Sequence, residues 1–533
     1  MLMKNFAVKG RIPLMLIASG ALSSLPLIFN SLGFLQWIAL IPAFLALVWS
    51  VDNEKVRLRG LYGRGLIFYW SYYAVTLHWF FYMYPLDFAG LNNAASLVVV
   101  LVACFGLSLL QASMGAFAFV LFGAAARTDI AKKHRFFLPF IGASVFVLAE
   151  WWLTQGWWGV PWGRTPLGQM ASPIFVRSSA LFGSYFVTFI IVAVNFCIAY
   201  AIINRSFKRI AFATAIGLFS LNLALGAMVT LTYREEGSAV TVAAAQGNIS
   251  SSDKWNSNSL ETTLEIYKEL TERAAADGAD IIVWPETALP YVLMNSEGLS
   301  AFVKELAVEN DITIIVSAFT ENEGVDNLSN SMIEVRPDGS FGEKIYSKQR
   351  LVPFGEFVPM REIVMFLIPP LANVGMLDDD LLAGEECVVL DTDVGSIGCG
   401  VCFDSIYESV ILGSVRNGAE IIAISTNDSW FSDSAALYMH NSQSRLRAIE
   451  TGRYVVRSAN TGISSIIDPM GNVKEELGAL ERGYVVSEAY MRQSTTLYTV
   501  IGNAFVLLCG AFMSFFIFGK LYFAIKTRFL KNS

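Results

Sequence analysis

Three stretches of this 533-residue chain combine a reactive side chain with turn punctuation, and each follows an apolar, strand-like run. In Val283-Trp284-Pro285-Glu286-Thr287, Pro285 stops the strand ladder and pushes Glu286 out at its carboxyl end. Tyr346-Ser347-Lys348-Gln349-Arg350 ends a second run and leads into Val352-Pro353-Phe354-Gly355-Glu356. In the third, SIGCGVCFDS at 396–405, Cys402 stands where the apolar run 394–401 gives way to a helical stripe of Ile406, Val410, Ile411 and Val415. A thiol at that junction faces the free N–H groups of a helix start, whose partial positive charge favours thiolate and can hold an oxyanion. A free thiol, with a pKa of about 8.5, is only a few per cent ionised at neutral pH. A carboxylate can take its proton during attack, and an ammonium can stabilise the anions that form. Ligands of open α/β sheets sit beyond the carboxyl ends of the strands, so Glu286, Lys348 and Cys402 can converge there. Taken singly, each has a plainer reading: a solvated carboxylate, a surface lysine, a small core cysteine.

The elements that must position them divide the chain. Hydrophobic residues make up 54% of it and charged residues only 16%, against an average charged share of about 25%, the balance of a membrane protein. A net charge of −7 argues against nucleic acid as a partner. Eight apolar stretches approach the roughly 20 residues of a membrane span: 12–30, 32–48, 66–83, 94–125, 137–157, 176–203, 210–231 and 498–525. Lysines and arginines alternate with these spans. Lys4, Lys9 and Arg11, then Lys55, Arg57, Arg59 and Arg64, then Arg127, Lys132, Lys133 and Arg135 fall on one side, as do the later clusters at 205–209 and 520–531. The opposite short loops carry almost none. The positive-inside rule then puts both termini in the cytoplasm and residues 234–490 outside it. The expected organisation is a seven-helix membrane domain over 1–233, a polar α/β domain over 234–490, and a final span with a cytoplasmic tail over 491–533.

Inside the polar domain, runs at 239–245, 280–284, 312–318, 331–336, 341–348, 394–401, 420–426, 454–458 and 462–468 read as strands, with a hairpin at Pro337-Asp338-Gly339-Ser340. Leu260, Leu264, Tyr267 and Leu270 form a helical stripe, and helices are expected over 301–310, after Cys402, and over 436–451. Several strands adjoin in sequence, so a layered sheet with helices outside fits better than a strictly alternating barrel. The segment 363–377, IVMFLIPPLANVGML, is apolar but too short to span; it reads as a buried loop or as an arm dipping into the outer leaflet.

Rival chemistries find less support. Cys399-Gly400-Val401-Cys402 is a CxxC, but Cys399 lies within the apolar strand rather than exposed at a helix start, which speaks against redox work. Cys104, Cys197 and Cys509 lie in apolar spans and read as packing residues. His440 is the one histidine of the domain and reads as structural; a metal site needs more, so no metal and no cofactor is expected. Glu150, near the outer end of the fifth span, is either functional or a paired, snorkelling carboxylate.

WPET at 284–287, the Lys348 segment with LVPFGEFVP at 351–359, and GVCFD at 400–404 resemble the Glu–Lys–Cys triad of the nitrilase superfamily. With QGNI at 246–249, TNDSWF at 426–431, RAIETGR at 447–453 and eight spans, nearly the whole chain resembles the bacterial apolipoprotein N-acyltransferase family. The resemblance implies an αββα nitrilase-like domain on the periplasmic side of the bacterial inner membrane. It further implies Glu286 as general base, Lys348 as electrostatic stabiliser and Cys402 as the nucleophile that carries an acyl group. Glu356 matches the family's second glutamate, which helps hold the lysine. Trp255 matches a tryptophan near the substrate entrance, and Trp430 lies in a loop over the site. Phe403-Asp404 replaces the family's usual Tyr-Glu, losing a hydroxyl and one methylene. The implied reaction moves a fatty-acyl chain from a membrane phospholipid, through a thioester, to the α-amine of a diacylglyceryl-cysteine lipoprotein. Two other readings compete: a membrane-tethered amidohydrolase passing the acyl group to water, and a transporter or receptor with an outer ligand-binding domain.

Overall fold

The computed structural model describes residues 10–86, 91–250, 254, 259–367 and 380–532. Trp255, and 368–377 of the apolar segment 363–377, lie outside the described residues. The chain forms two units, one of Met1–Phe80, Leu101–Thr232 and Val500–Ser533, the other of Phe81–Val100 and Tyr233–Thr499.

In the first unit, helices stand at each position where the apolar stretches predict them. Proline at the first turn opens Ile12–Ile28, Ile41–Asp52 and Leu138–Trp152, where its missing N–H is no loss. Among the described residues, five helical segments are long and apolar enough to cross a membrane: Asn30–Asp52, Asn93–Ala126, Arg135–Trp152, Ser184–Ile203 and Arg205–Thr232. Ile12–Ile28 and Ala504–Gly519 are apolar but shorter. The helix at the third expected span, Leu58–Thr76, carries Arg59 and Arg64 in its first two turns. Glu150 is a paired carboxylate. It accepts hydrogen bonds from the Thr165 hydroxyl (2.9 Å) and the Thr188 hydroxyl (3.0 Å), and Arg164 Nε lies 3.6 Å away.

The second unit is built on two sheets. The strands are β1 Ala239–Gln246, β2 Ile281–Val283, β3 Leu289–Val292, β4 Thr313–Asn322, β5 Val325–Val335, β6 Phe341–Ser347, β7 Val389–Thr392, β8 Gly395–Val401, β9 Ile421–Thr426, β10 Tyr454–Ala459, β11 Ser464–Ile467, β12 Val473–Leu477 and β13 Gly483–Tyr490. One sheet runs β13-β1-β2-β4-β5-β6, with β3 also on β4; the other runs β12-β11-β10-β9-β8-β7. Within them β1, β2 and β4 are parallel, as are β8, β9 and β10; β3 runs parallel to β4, and the other outer strands are antiparallel. β1, β2, β4, β8, β9 and β10 all fall on runs that the sequence marks as strands, and all are largely buried. The short edge strands β3, β7 and β12, and β13 beside β1, were absent from the sequence reading.

Helices α1 Leu260–Ala276 and α2 Glu297–Asn310 cover the first sheet, burying Tyr267, Leu270, Val303 and Leu306 against Ile282, Ile314 and Val316. Helices α3 Glu408–Arg416 and α4 Ala435–Thr451 cover the second, burying Ile411, Val415 and Ala448 against Ile422, Ile424 and Val455. The inner faces are tied by side chains: Ser425 Oγ donates to the Trp284 carbonyl (2.8 Å) and Ser458 Oγ to the Ala245 carbonyl (2.6 Å). This is the expected αββα sandwich.

The unit extends past the boundary expected at 490. Thr496 Oγ1 donates to the Glu450 carbonyl, Arg416 Nε to the Thr499 carbonyl, and Arg453 Nη1 to the Ser494 carbonyl. It also includes Phe81–Val100, where the Ser432 hydroxyl donates to the Tyr82 carbonyl (3.1 Å). These bonds join residues remote in sequence, which no composition shift could reveal.

Candidate active site

Glu286, Lys348 and Cys402 each leave the carboxyl end of a strand, β2, β6 and β8 respectively, and the two-sheet arrangement brings those ends together. Lys348 is 1% exposed and its Nζ bridges Glu286 Oε1 (2.9 Å) and Glu356 Oε1 (2.8 Å). Burial pulls its ammonium down, but Glu286, Glu356 and Cys402 outweigh it and the group stays charged well above the ordinary lysine value. Glu286 is further held by Asn330 Nδ2 on Oε1 (2.9 Å) and by the Asn427 N–H on Oε2 (2.9 Å). The other oxygen of Glu356 accepts the Val352 N–H (2.8 Å), so the PFGE loop folds back on the lysine it follows.

One of the three positions, and the residue after another, sit on strained backbone. Cys402 has φ +48°, and Thr287, directly after Glu286, has φ +44°. Non-glycine residues in this region cost about 1–3 kcal/mol each, and such strain concentrates at functional sites. Cys402 opens the short 3-10 helix Cys402–Ile406, as the change of pattern after 401 implies. The electrostatic expectation is reversed, however. Burial, and then the Glu286 charge, push the Cys402 thiol far above its ordinary value; Lys348 and a hydrogen bond from Thr426 oppose this without overcoming it. The resting sulfur is therefore a thiol, and the proton must be removed as it attacks. One short helix start is too weak a field to offset the loss of water around a half-buried sulfur beside a carboxylate.

Asp404 is engaged on both oxygens. It is fully buried and clasps the ends of β6 and β8: Oδ2 accepts the Tyr346 hydroxyl (2.8 Å) and the Val401 N–H (3.0 Å), and Oδ1 accepts the N–H groups of Gln349 (3.2 Å) and Arg350 (2.8 Å). Burial raises its carboxyl to about 6 despite these donors. The clasp fixes Lys348 relative to Cys402 through backbone on either side. Phe403 is buried edge-on against Tyr407, with ring centroids 5.3 Å apart. Trp430 is half-buried in the 3-10 turn Ser429–Phe431.

Several groups at this site carried no sequence signal of their own. Lys254, buried, donates from Nζ to the Glu286 carbonyl (2.6 Å), and burial lowers it to about 8 against the pull of Glu286 and Cys402. Asn330 lies mid-strand in β5. Tyr346 reads as an ordinary strand aromatic. His440, read as structural, sits behind the nucleophile: Nε2 is 3.2 Å from the Cys402 carbonyl oxygen and 3.0 Å from Ser405 Oγ, and Nδ1 is 2.9 Å from Asp428 Oδ1. Arg457 Nη2 donates to Asp428 Oδ2 (2.7 Å). Other motif residues are braces. Gln246 Nε2 donates to the Gly478 and Glu481 carbonyls, and Arg453 Nε to the Ala419 carbonyl. Cys399 is buried, and all six cysteines are free thiols.

Such a constellation suits acyl transfer: a thiol, a carboxylate to accept its proton, and an ammonium fixed between two carboxylates to meet developing negative charge. Residues 241–496 match the carbon-nitrogen hydrolase family model, and residues 19–197 match that of the apolipoprotein N-acyltransferase N-terminal domain. Among curated proteins, an apolipoprotein N-acyltransferase of Geobacter metallireducens is 31% identical over 366 residues, covering 66% of this chain and 68% of its own. One from Gloeobacter violaceus is 28% identical over 481 residues, covering 90% of this chain and 88% of its own. Among solved structures, an amidase of the nitrilase superfamily from Nesterenkonia is 17% identical with a TM-score of 0.39, covering 51% of this chain and 97% of that one.

Proposed function

The chain belongs to the apolipoprotein N-acyltransferase family, and from that premise we propose that Cys402 takes a fatty-acyl chain from a membrane phospholipid and passes it to the α-amine of a diacylglyceryl-cysteine lipoprotein. Glu286 removes the Sγ proton as sulfur attacks the ester carbonyl. The tetrahedral oxyanion is held by Lys348 Nζ and the Phe403 N–H. The carbon–oxygen bond to the glycerol breaks, Glu286 returns the proton to that oxygen, and a lysophospholipid leaves a thioester on Cys402. The amine then attacks the thioester, Glu286 takes the amine proton, and the sulfur departs and is reprotonated as the amide forms. Glu356 keeps the lysine in place while the charge on Glu286 changes.

The observation that carries this reading is the bridged lysine: one buried ammonium shared by Glu286 and Glu356, beside a half-buried thiol whose ionisation is disfavoured at rest. The alternation of lysines and arginines between the apolar stretches supports a bacterial inner-membrane protein with cytoplasmic termini and its sandwich domain on the periplasmic side. The enzyme is tested by intact-mass spectrometry after incubation with a phospholipid of defined acyl chain. The expected result is an acyl adduct on Cys402 that persists in buffer and is discharged by a diacylglyceryl-cysteine peptide. Spontaneous release of free fatty acid would instead identify a hydrolase.

A further inference from the structure

His440 occupies a place that the triad chemistry does not use. Its ring is buried, with Nδ1 on Asp428, whose other oxygen is held by Arg457. Its Nε2 faces the carbonyl oxygen of the nucleophile itself, Cys402, at 3.2 Å. The Ser405 hydroxyl completes the group, donating to that same carbonyl (2.7 Å) while lying 3.0 Å from Nε2. A ring nitrogen of His440, a carboxylate oxygen of Asp428 and the Cys402 sulfur all lie within 4.8 Å of one another. The cluster is already engaged as a hydrogen-bond network: Asp428 Oδ1 also accepts the Thr426 hydroxyl (3.0 Å).

The carbonyl in question belongs to the Cys402–Phe403 peptide, whose N–H is the oxyanion donor in the reaction above. A peptide unit is planar, so holding its oxygen also sets the direction of its N–H. Hydrogen bonds accepted at the oxygen also polarise the unit and strengthen the N–H as a donor. The peptide sits next to a residue at φ +48°, a conformation that needs support from its surroundings. The two protonation states of the ring meet this oxygen differently. The charged ring donates to it directly; the neutral ring, its proton on Nδ1 toward Asp428, accepts at Nε2 from Ser405, whose single hydroxyl proton it shares with the carbonyl.

We propose that His440, anchored by Asp428 and Arg457, is a positioning residue for acyl transfer that acts through the Cys402–Phe403 peptide to aim and strengthen the oxyanion-binding N–H. The inference rests on the function proposed above, and its test separates the two. Full-length enzyme, His440→Phe and His440→Gln are compared in single-turnover acylation by phospholipid and in alkylation of Cys402 by iodoacetamide. Alkylation needs the same sulfur but forms no oxyanion. His440→Phe is expected to slow acylation by about 10- to 100-fold, less than the loss of an oxyanion donor outright. Alkylation should change by no more than about threefold, because the sulfur and its base are untouched. His440→Gln, which can return an N–H to the carbonyl, should recover acylation to within about fivefold of the unmodified enzyme.

The proposal is overturned if His440→Phe acylates normally, if acylation and alkylation fall together, or if glutamine rescues no better than phenylalanine. Failure of the unmodified enzyme to form any acyl adduct would instead refute the underlying function. Normal acylation by His440→Phe refutes the role of His440 alone.

Discussion

Replacing Lys348 by methionine keeps the length and apolar stem of the side chain and removes its charge. In the enzyme the ammonium is almost fully buried and binds two carboxylates at 2.9 and 2.8 Å. After the change Glu286 retains Asn330 and the Asn427 N–H and, among the described residues, Glu356 retains the Val352 N–H. Two neighbouring acids then lose the cation they share, a situation that typically costs about 3–5 kcal/mol. The pH dependence of that cost follows the lysine itself. Its raised pKa keeps its contribution intact below the ordinary value of about 10.5, and that contribution is lost only above it. For catalysis, losing an oxyanion-stabilising group costs about 2.7–4 kcal/mol, or roughly a hundred- to a thousandfold in rate. The assay is single-turnover formation of the acyl adduct, followed by intact mass, with melting temperature measured in parallel at about pH 8. Acylation within about tenfold of the unmodified enzyme, or an unchanged melting temperature, would refute the reasoning.

Three further outcomes follow from the same geometry. Cys402→Ala should form no acyl adduct, whereas Cys399→Ala, a change within a buried strand, should acylate within about threefold of the unmodified enzyme; equal loss in both would point to a paired-cysteine mechanism. Asn330→Ala removes one of the donors on Glu286 Oε1 and should cost about 1 kcal/mol in stability and roughly tenfold in acylation rate, read by melting temperature and single turnover. Asp428 sits at about 2 because His440 and Arg457 outweigh the cost of burial. Its contribution, on the order of 2 kcal/mol, should be present above about pH 4 and vanish as pH falls toward 2; an Asp428→Asn variant whose deficit stays constant over that window would contradict the assignment.

Much of the catalytic framework was legible before the fold. Strand-like runs in the sequence marked the buried strands β1, β2, β4, β8, β9 and β10. Pro285 and the break after Val401 marked where Glu286 and Cys402 emerge, and the PFGE sequence after Lys348 pointed to Glu356. The edge strands β3, β7 and β12 escaped because three to five residues with one exposed face carry no distinctive period. β13 escaped because its partner β1 begins the domain some 240 residues earlier.

Sequence by itself determined which residue types end which strands, and the contrast between apolar helices and a charged α/β domain, because both follow from local pattern and composition. Tertiary structure alone decided what each reactive group feels. Asn330 reaches Glu286 across 44 positions, Tyr346 reaches Asp404 across 58, and His440 reaches the Cys402 carbonyl across 38. Those contacts, with the loss of water around them, keep Cys402 a thiol and Lys348 an ammonium. Proton affinity is set by what lies within a few ångströms in space, and chain order does not specify that distance.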